Sequence, residues 1–136
     1  MDEQQMSQLK ALPFPAFVYF DMGDGFELSK LEIDMFAPGG ASYVLTYDNG
    51  MGGIIKVFGC AGGVGDIPAG TRQVDFSSML YGRGTVEIYE AGSEEGFSFR
   101  SRWISDWRPG AYYSFAGENL EERFINKIVD GLMELE

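Results

Sequence analysis

Apolar residues along this chain recur mostly at every second position, in short runs separated by glycine; only the last segment shifts to a helical period. Ala16 to Asp21 is a compact apolar run that reads as a first strand. Phe26 to Phe36 comes next, and its alternation changes phase. Phe26 and Leu28 share one parity, whereas Leu31, Ile33 and Met35 share the other. A β-bulge at Ser29-Lys30 would put both sets on one face, because one extra residue re-aims everything downstream; the alternative is two strands with a tight break. Ser42 to Tyr47 places Tyr43, Leu45 and Tyr47 on one side. Asp48-Asn49-Gly50 then predicts a hairpin, since Asn-Gly accepts the positive φ angles of the favoured turn. Gly53 to Phe58 is the returning strand.

Thr71 to Phe76 is a further strand, and Ser77 to Gly84 reads as irregular. Tyr81 to Glu90, regular from Thr85, and Gly96 to Ser105 are predicted as strands flanking the polar loop Ala91 to Glu95. In the second of these, Phe97, Phe99 and Trp103 fall on one face with Ser101. Ser98, Arg100 and Arg102 fall on the other. A tight turn at Arg108-Pro109-Gly110-Ala111 leads into an aromatic strand, Ala111 to Phe115. The chain closes with a helix over Asn119 to Glu136. Leu120, Phe124, Ile125, Ile128, Val129, Leu132 and Met133 form its apolar stripe, with Asn119 as N-cap and Glu122 completing a capping box. Asp2 to Leu12 is a short N-terminal helix, stopped by Pro13 and Pro15.

This order predicts an α+β fold: one curved, mostly antiparallel sheet of about six or seven strands, with the C-terminal helix packed across one face. The 136 residues fit a single domain, long enough to bury roughly two thirds of its unfolded surface. A net charge of −11 leaves no basic run for a phosphate backbone and repels anionic membranes. The expectation is therefore no nucleic-acid partner and no membrane. The polar, acidic start lacks an apolar leader core, and no apolar run approaches bilayer length, so the expected location is the cytoplasm.

There is no histidine. That removes the His-dependent nucleophiles and the commonest general base, and the expectation is that the protein is not an enzyme. Cys60 is the single cysteine. It lies in the glycine-rich connection Gly59 to Gly70 without a cation or helix start at activating spacing. The same loop lacks the strand-glycine-helix context of a phosphate cradle. Asp21, Asp24 and Glu27 surround a turn but miss the spacing of a calcium loop, so no metal or cofactor is expected. Glu87, Glu90, Asp75 and Asp106 are the candidates for a carboxylate-only enzyme, and solvated strand faces are their ordinary home.

The segment Trp107-Arg108-Pro109-Gly110-Ala111-Tyr112-Tyr113-Ser114-Phe115-Ala116-Gly117, leading at once into the helix, resembles the end of a bacterial domain of unknown function. Leu12-Pro13 and Phe26-Glu27-Leu28 are similar to its opening. That domain often comes after a membrane anchor and is related to half-barrel lipoprotein carriers. The resemblance implies a curved sheet over a helix that holds an apolar ligand on its concave face or docks a protein, and it implies no catalysis.

The first functional expectation is a non-catalytic binding or regulatory module for a protein or an apolar small molecule. The aromatic set Phe97, Phe99, Trp103, Trp107, Tyr112, Tyr113 and Phe115 reads either as core under the helix or in part as the lining of a groove, and the expected contact residues are Trp107 and Tyr112, as its exposed members, with Cys60, Gly62 and Gly63 in the loop. The alternative is an acidic inhibitor or immunity-type protein that covers a basic site.

Overall fold

The structure, a computed structural model, describes residues 1–21, 23–90 and 96–135. The Ala91 to Glu95 loop expected from the sequence lies outside the described residues. Helix α1, Glu3–Lys10, starts at a capping box that the polar N-terminus conceals. Asp2 accepts the Gln5 N–H at 2.7 Å, and the Gln5 side chain accepts the Asp2 N–H at 3.1 Å.

Nine strands are found among the described residues: β1 Phe17–Tyr19, β2 Glu27–Asp34, β3 Ser42–Asp48, β4 Ile54–Cys60, β5 Arg72–Ser78, β6 Gly82–Ile88, β7 Phe99–Ser101, β8 Tyr112–Glu118 and β9 Leu132–Glu134. Helix α2, Phe124–Gly131, precedes the last. Seven strands make one antiparallel sheet in the order β2-β3-β4-β8-β7-β6-β5, open at both edges; β1 and β9 pair separately. Among the described residues, no helix is long and apolar enough to cross a membrane.

The phase slip in β2 is a bulge. Leu28 sits opposite Tyr47, but Lys30 sits opposite Thr46, leaving Ser29 as the extra residue. Leu28, Leu31 and Ile33 consequently all face the core. Directly paired residues share a face. Leu31, Leu45, Val57 and Phe115 therefore form one apolar row across four strands, and Ile33, Tyr43, Gly59 and Tyr113 form the next. Gly59 has no side chain for a reason: a Cβ there would collide with the Tyr43 ring.

Three expectations need correction. Ser77 to Gly84 is a regular hairpin, because Gly82 takes a positive φ at the turn and Gly84 makes room for the Phe76 ring. The strand expected over Gly96 to Ser105 shrinks to β7. Phe99 and Ser101 face the core, whereas Phe97 and Trp103, beyond the ends of this short strand, gather with Arg100 on the opposite face.

The terminal helix is also shorter than its apolar stripe. Asn119 has φ 53° and does not cap it; its side-chain amide donates instead to Gly52 O at 2.9 Å. At the other end Gly131 lies against the Tyr19 ring, and its carbonyl accepts the Phe20 N–H at 2.7 Å. The chain then extends as β9 to pair with β1. Met133, in the helical stripe by sequence, points to solvent.

Helix α2 packs across the sheet through Ile125, Ile128 and Val129, which are buried in the common core. Each contributes roughly 1.5–3 kcal/mol by leaving water. The β1–β9 ribbon is tied to the sheet by tyrosine hydroxyls. Tyr43 Oη accepts the Phe17 N–H at 2.8 Å and donates to Phe17 O at 2.9 Å. Tyr47 Oη accepts the Tyr19 N–H at 3.0 Å, Tyr113 donates to Pro15 O, and Tyr81 donates to Leu132 O. The Tyr43, Tyr47 and Tyr113 hydroxyls satisfy backbone groups of Phe17, Tyr19 and Pro15, on the side of the β1 segment that has no strand neighbour.

Candidate functional site

The helix side of the sheet is filled. Tyr43, Tyr113, Phe17, Phe99 and Phe115 are all essentially inaccessible there. Trp107 belongs to this packing, and the expectation that it is exposed is wrong. It is 5% exposed, with its ring 5.0 Å from Phe17 and 4.9 Å from Tyr81 between centroids. The Pro109-Gly110 turn sends Trp107 inward and the next strand back out. Tyr112, at 36%, is exposed as expected.

Four of the five expected contact residues lie on or beside the other face. Cys60 sits directly opposite Tyr112 in the β4–β8 ladder, and Ser42 flanks it on β3. Gly62 and Gly63 turn over this end of the sheet and meet the Pro38-Gly39-Gly40 turn backbone to backbone. A Cβ on Gly39 would lie 2.5 Å from Gly63 N. Glycine serves close packing here, not a phosphate. Burial pushes the Cys60 thiol up, with the Gly62 backbone acting weakly the other way. A thiol held protonated is a poor nucleophile.

The rest of the Gly59 to Gly70 connection is fastened across this face. The Trp103 indole N–H donates to Gly65 O at 2.7 Å, Arg102 to Ile67 O at 3.2 Å, and the Tyr89 hydroxyl to Pro68 O at 2.7 Å. The last fastening uses Glu87, whose side chain is buried. Its carboxylate accepts the Gly70 N–H at 2.9 Å and the Gln73 amide at 2.7 Å, and it forms an ion pair with Arg102 Nε at 3.1 Å. Its cross-strand neighbours are Gln73 and Arg100, not a second carboxylate. Glu87 thus works as a clasp. Asp75 accepts the Thr85 hydroxyl at 3.1 Å, and Glu90 and Asp106 are exposed.

Asp21 accepts the N–H groups of Gly23, Asp24 and Gly25, and Asp24 pairs with Lys127 at 2.9 Å. Those oxygens hold a turn and a helix. Among the described residues, no group of three or more His, Cys, Asp or Glu side chains is placed to hold a metal ion.

Between the two glycine turns and strands β3 and β4 lies an open cleft of about 320 Å³. Pro38, Val44, Phe58, Cys60, Val64 and Trp103 line it. The Arg100 guanidinium carbon lies 4.4 Å from the Phe58 ring centre, 5.4 Å from that of Trp103 and 5.8 Å from that of Phe97. Such cation–aromatic contacts are worth about 0.5–2 kcal/mol each, depending on desolvation.

One cross-strand row, Lys30, Thr46, Lys56, Ala116, Arg100, Glu87, Gln73, crosses all seven strands. Three cations thus line up on one face of an acidic chain. Sequence reading misses them because they come from strands distant along the chain. The Lys56 ammonium is 6.0 Å from the Phe97 ring centre, and among the described residues it has no carboxylate partner within ion-pair distance. Beyond it runs a second row, Glu27, Asp48, Ile54, Glu118, which carries carboxylates.

Compared with known proteins, the chain matches no family model, no curated protein and no solved structure.

Proposed function

We propose that this chain is a non-catalytic binding or regulatory module that engages a protein partner or an apolar ligand through the sheet face opposite α2. One observation carries the reading. Phe58 and Trp103 stay half-exposed in a cleft whose walls are fixed by hydrogen-bonded loops, and half-exposed Phe97 lies beside Phe58. Large aromatics on a rigid frame are the usual anchors of recognition, since little ordering entropy is lost when they are covered. The resemblance to half-barrel carriers supports a binding role. A net charge of −11 disfavours nucleic-acid and anionic-membrane partners.

The test is affinity capture from the native cell, with wild type and a Phe97→Ser/Trp103→Ser variant of unchanged circular dichroism. Proteins and small molecules are both read by mass spectrometry. The reading expects at least one species held by wild type and lost with the variant. Capture indifferent to the substitutions would remove this face from the proposal.

The row Glu27, Asp48, Glu118 favours a second reading, an acidic inhibitor of a basic site. Capture that collapses steeply with salt and depends on those carboxylates would favour it.

A further inference from the structure

We propose that the free edge of β2 takes an extended peptide of alternating apolar and basic residues as an added strand, with the apolar side chains in the trough between β2 and α1. This goes beyond the reading of the face opposite α2 and does not depend on it. The backbone comes first. β2 ends the sheet order, so every second N–H and C=O along it points away from β3. The Ser29 bulge breaks the ladder and leaves residues 30–34 as the regular run. Among the described residues, no other segment's backbone bonds to that run. An extended chain laid along it gains main-chain hydrogen bonds, and its alternate side chains give specificity.

The trough sets polarity. Leu31, Ile33 and Met35, at every second position, form one wall of a depression of about 460 Å³. Gln8 of α1 and Ala11, its C-cap, form the other. The volume equals about fifteen waters at roughly 30 Å³ each, which is room for about three aliphatic side chains at a strand's spacing. Leu31 and Ile33 are only half-buried, and Met35 is 43% exposed. Gln8, the one polar side chain of the lining, is exposed and offers both a donor and an acceptor to a peptide group. The other edge lacks this fit. The depression beside β5 is lined by Asp75, Ser77, Arg83 and Thr85 around Phe76 and Gly84.

Charge selects the other side of the added strand. Lys30, Glu32 and Asp34 point away from the trough, two carboxylates against one ammonium. Lys30 pairs with Glu32 at 3.5 Å. Asp34 accepts the Phe36 N–H at 2.9 Å and, among the described residues, has no ion-pair partner. The other nearby cations lie elsewhere. Lys10 lines a separate depression with Glu134, and Lys56 stands two strands in from the edge. Directly opposed residues share a face, so basic side chains of the added strand meet Glu32 and Asp34. A second copy of this chain fits less well. Pairing the run 30–34 antiparallel with itself sets Glu32 against Glu32 and brings two α1 helices to the same side of one edge.

The test uses three blocked peptides: Lys-Val-Lys-Val-Lys-Val-Lys, the same with glutamate for lysine, and the non-alternating Lys-Lys-Val-Val-Val-Lys-Lys. The nitrogen-15 amide spectrum of the protein reads binding. The proposal expects saturable shifts in residues 30–35 with the first peptide, and slower hydrogen exchange at every second amide of 30–34. The Trp103 indole signal, which reports the cleft, should stay in place. The acidic and the non-alternating peptides should each bind about tenfold weaker. In a Glu32→Gln/Asp34→Asn variant the amide at 34 still accepts the Phe36 N–H, and the basic and acidic peptides should come within about twofold of each other. Should that variant unfold, a salt series on wild type gives the same comparison, because the gap between the two peptides closes as salt rises.

No saturable shift with any peptide, or shifts that gather at Trp103, overturns the edge site. Equal binding of the basic and acidic peptides overturns the basic partner. A concentration-dependent dimer of the protein alone, with residues 30–34 protected, overturns the peptide in favour of a second copy.

Discussion

Removing one oxygen from Tyr43 tests the way the β1–β9 ribbon is held. In Tyr43→Phe the ring stays, so packing in the core is unchanged to first order. The lost hydroxyl accepts the Phe17 N–H and donates to Phe17 O, at 2.8 and 2.9 Å, and Phe17 is fully buried. Each hydrogen bond is worth about 1 kcal/mol net, and a buried backbone group stranded without a partner costs about 1–3 kcal/mol. Two groups are stranded here, which gives a loss of about 2–4 kcal/mol. Tyr47→Phe strands only the Tyr19 N–H and should cost about 1–2 kcal/mol. Exposed Tyr112→Phe, the control, should fall within about 0.5 kcal/mol of wild type. Urea unfolding measures all three; with a slope of about 2 kcal/mol/M, Tyr43→Phe should lower the midpoint by about 1–2 M without changing that slope. Hydrogen exchange should show the Phe17 amide losing protection first. A Tyr43→Phe midpoint equal to the Tyr112→Phe control would refute the claim that hydroxyls stand in for a missing strand.

Gly59→Ala should destabilise by about 1–3 kcal/mol, because its Cβ collides with a Tyr43 ring that is tethered at its far end. Gly65→Ala, with nothing within 4 Å of its Cβ, should be near neutral in the same urea experiment. Burial pushes Tyr47 and Tyr113 up to about 12 from an ordinary 10. The unfolded chain therefore releases those protons first, so stability holds below pH 10 and falls as pH rises toward 12. Absorbance at about 295 nm should show their ionisation arriving with unfolding, and ionisation of both near pH 10 in the folded protein would contradict it. Glu87→Ala should cost about 2 kcal/mol, since the Gly70 N–H and the Gln73 amide lose their acceptor while half-exposed Arg102 keeps water. Residues 61–70 should then exchange deuterium faster than the rest of that face.

Local rules make much of this architecture legible. The bulge at Ser29 arises from two parity sets that must share one core, and the Asp48-Asn49-Gly50 hairpin arises from its turn residues. The boundary at Leu132 is different. Leu132 and Met133 suit either a helical stripe or an alternating strand, and only the open side of β1 selects the strand. The capping box expected at Asn119 appears at Asp2 instead, because Asn119 sits in a bend tied to the β3–β4 hairpin. Trp103, which the alternation puts with Phe99, lies on the opposite face, because β7 is too short to carry a face pattern through to position 103; Trp107, expected exposed, is in the core.

Cys60, Gly62 and Gly63 are singled out from glycine density alone, and glycine there serves the crossing of two turns. The alignment of Lys56 with Arg100 depends on β4 pairing with β8 and β8 with β7. Those contacts join distant parts of the chain, and no periodicity encodes them.

The most direct measurement of the central claim, that recognition uses the face opposite α2, is hydrogen–deuterium exchange on the protein with and without its captured partner. The account predicts new protection in residues 42–46, 54–65 and 97–104, with residues 17–20 and 124–134 unchanged. Protection confined to the ribbon and helix, with the cleft residues exchanging as in the free protein, would contradict it.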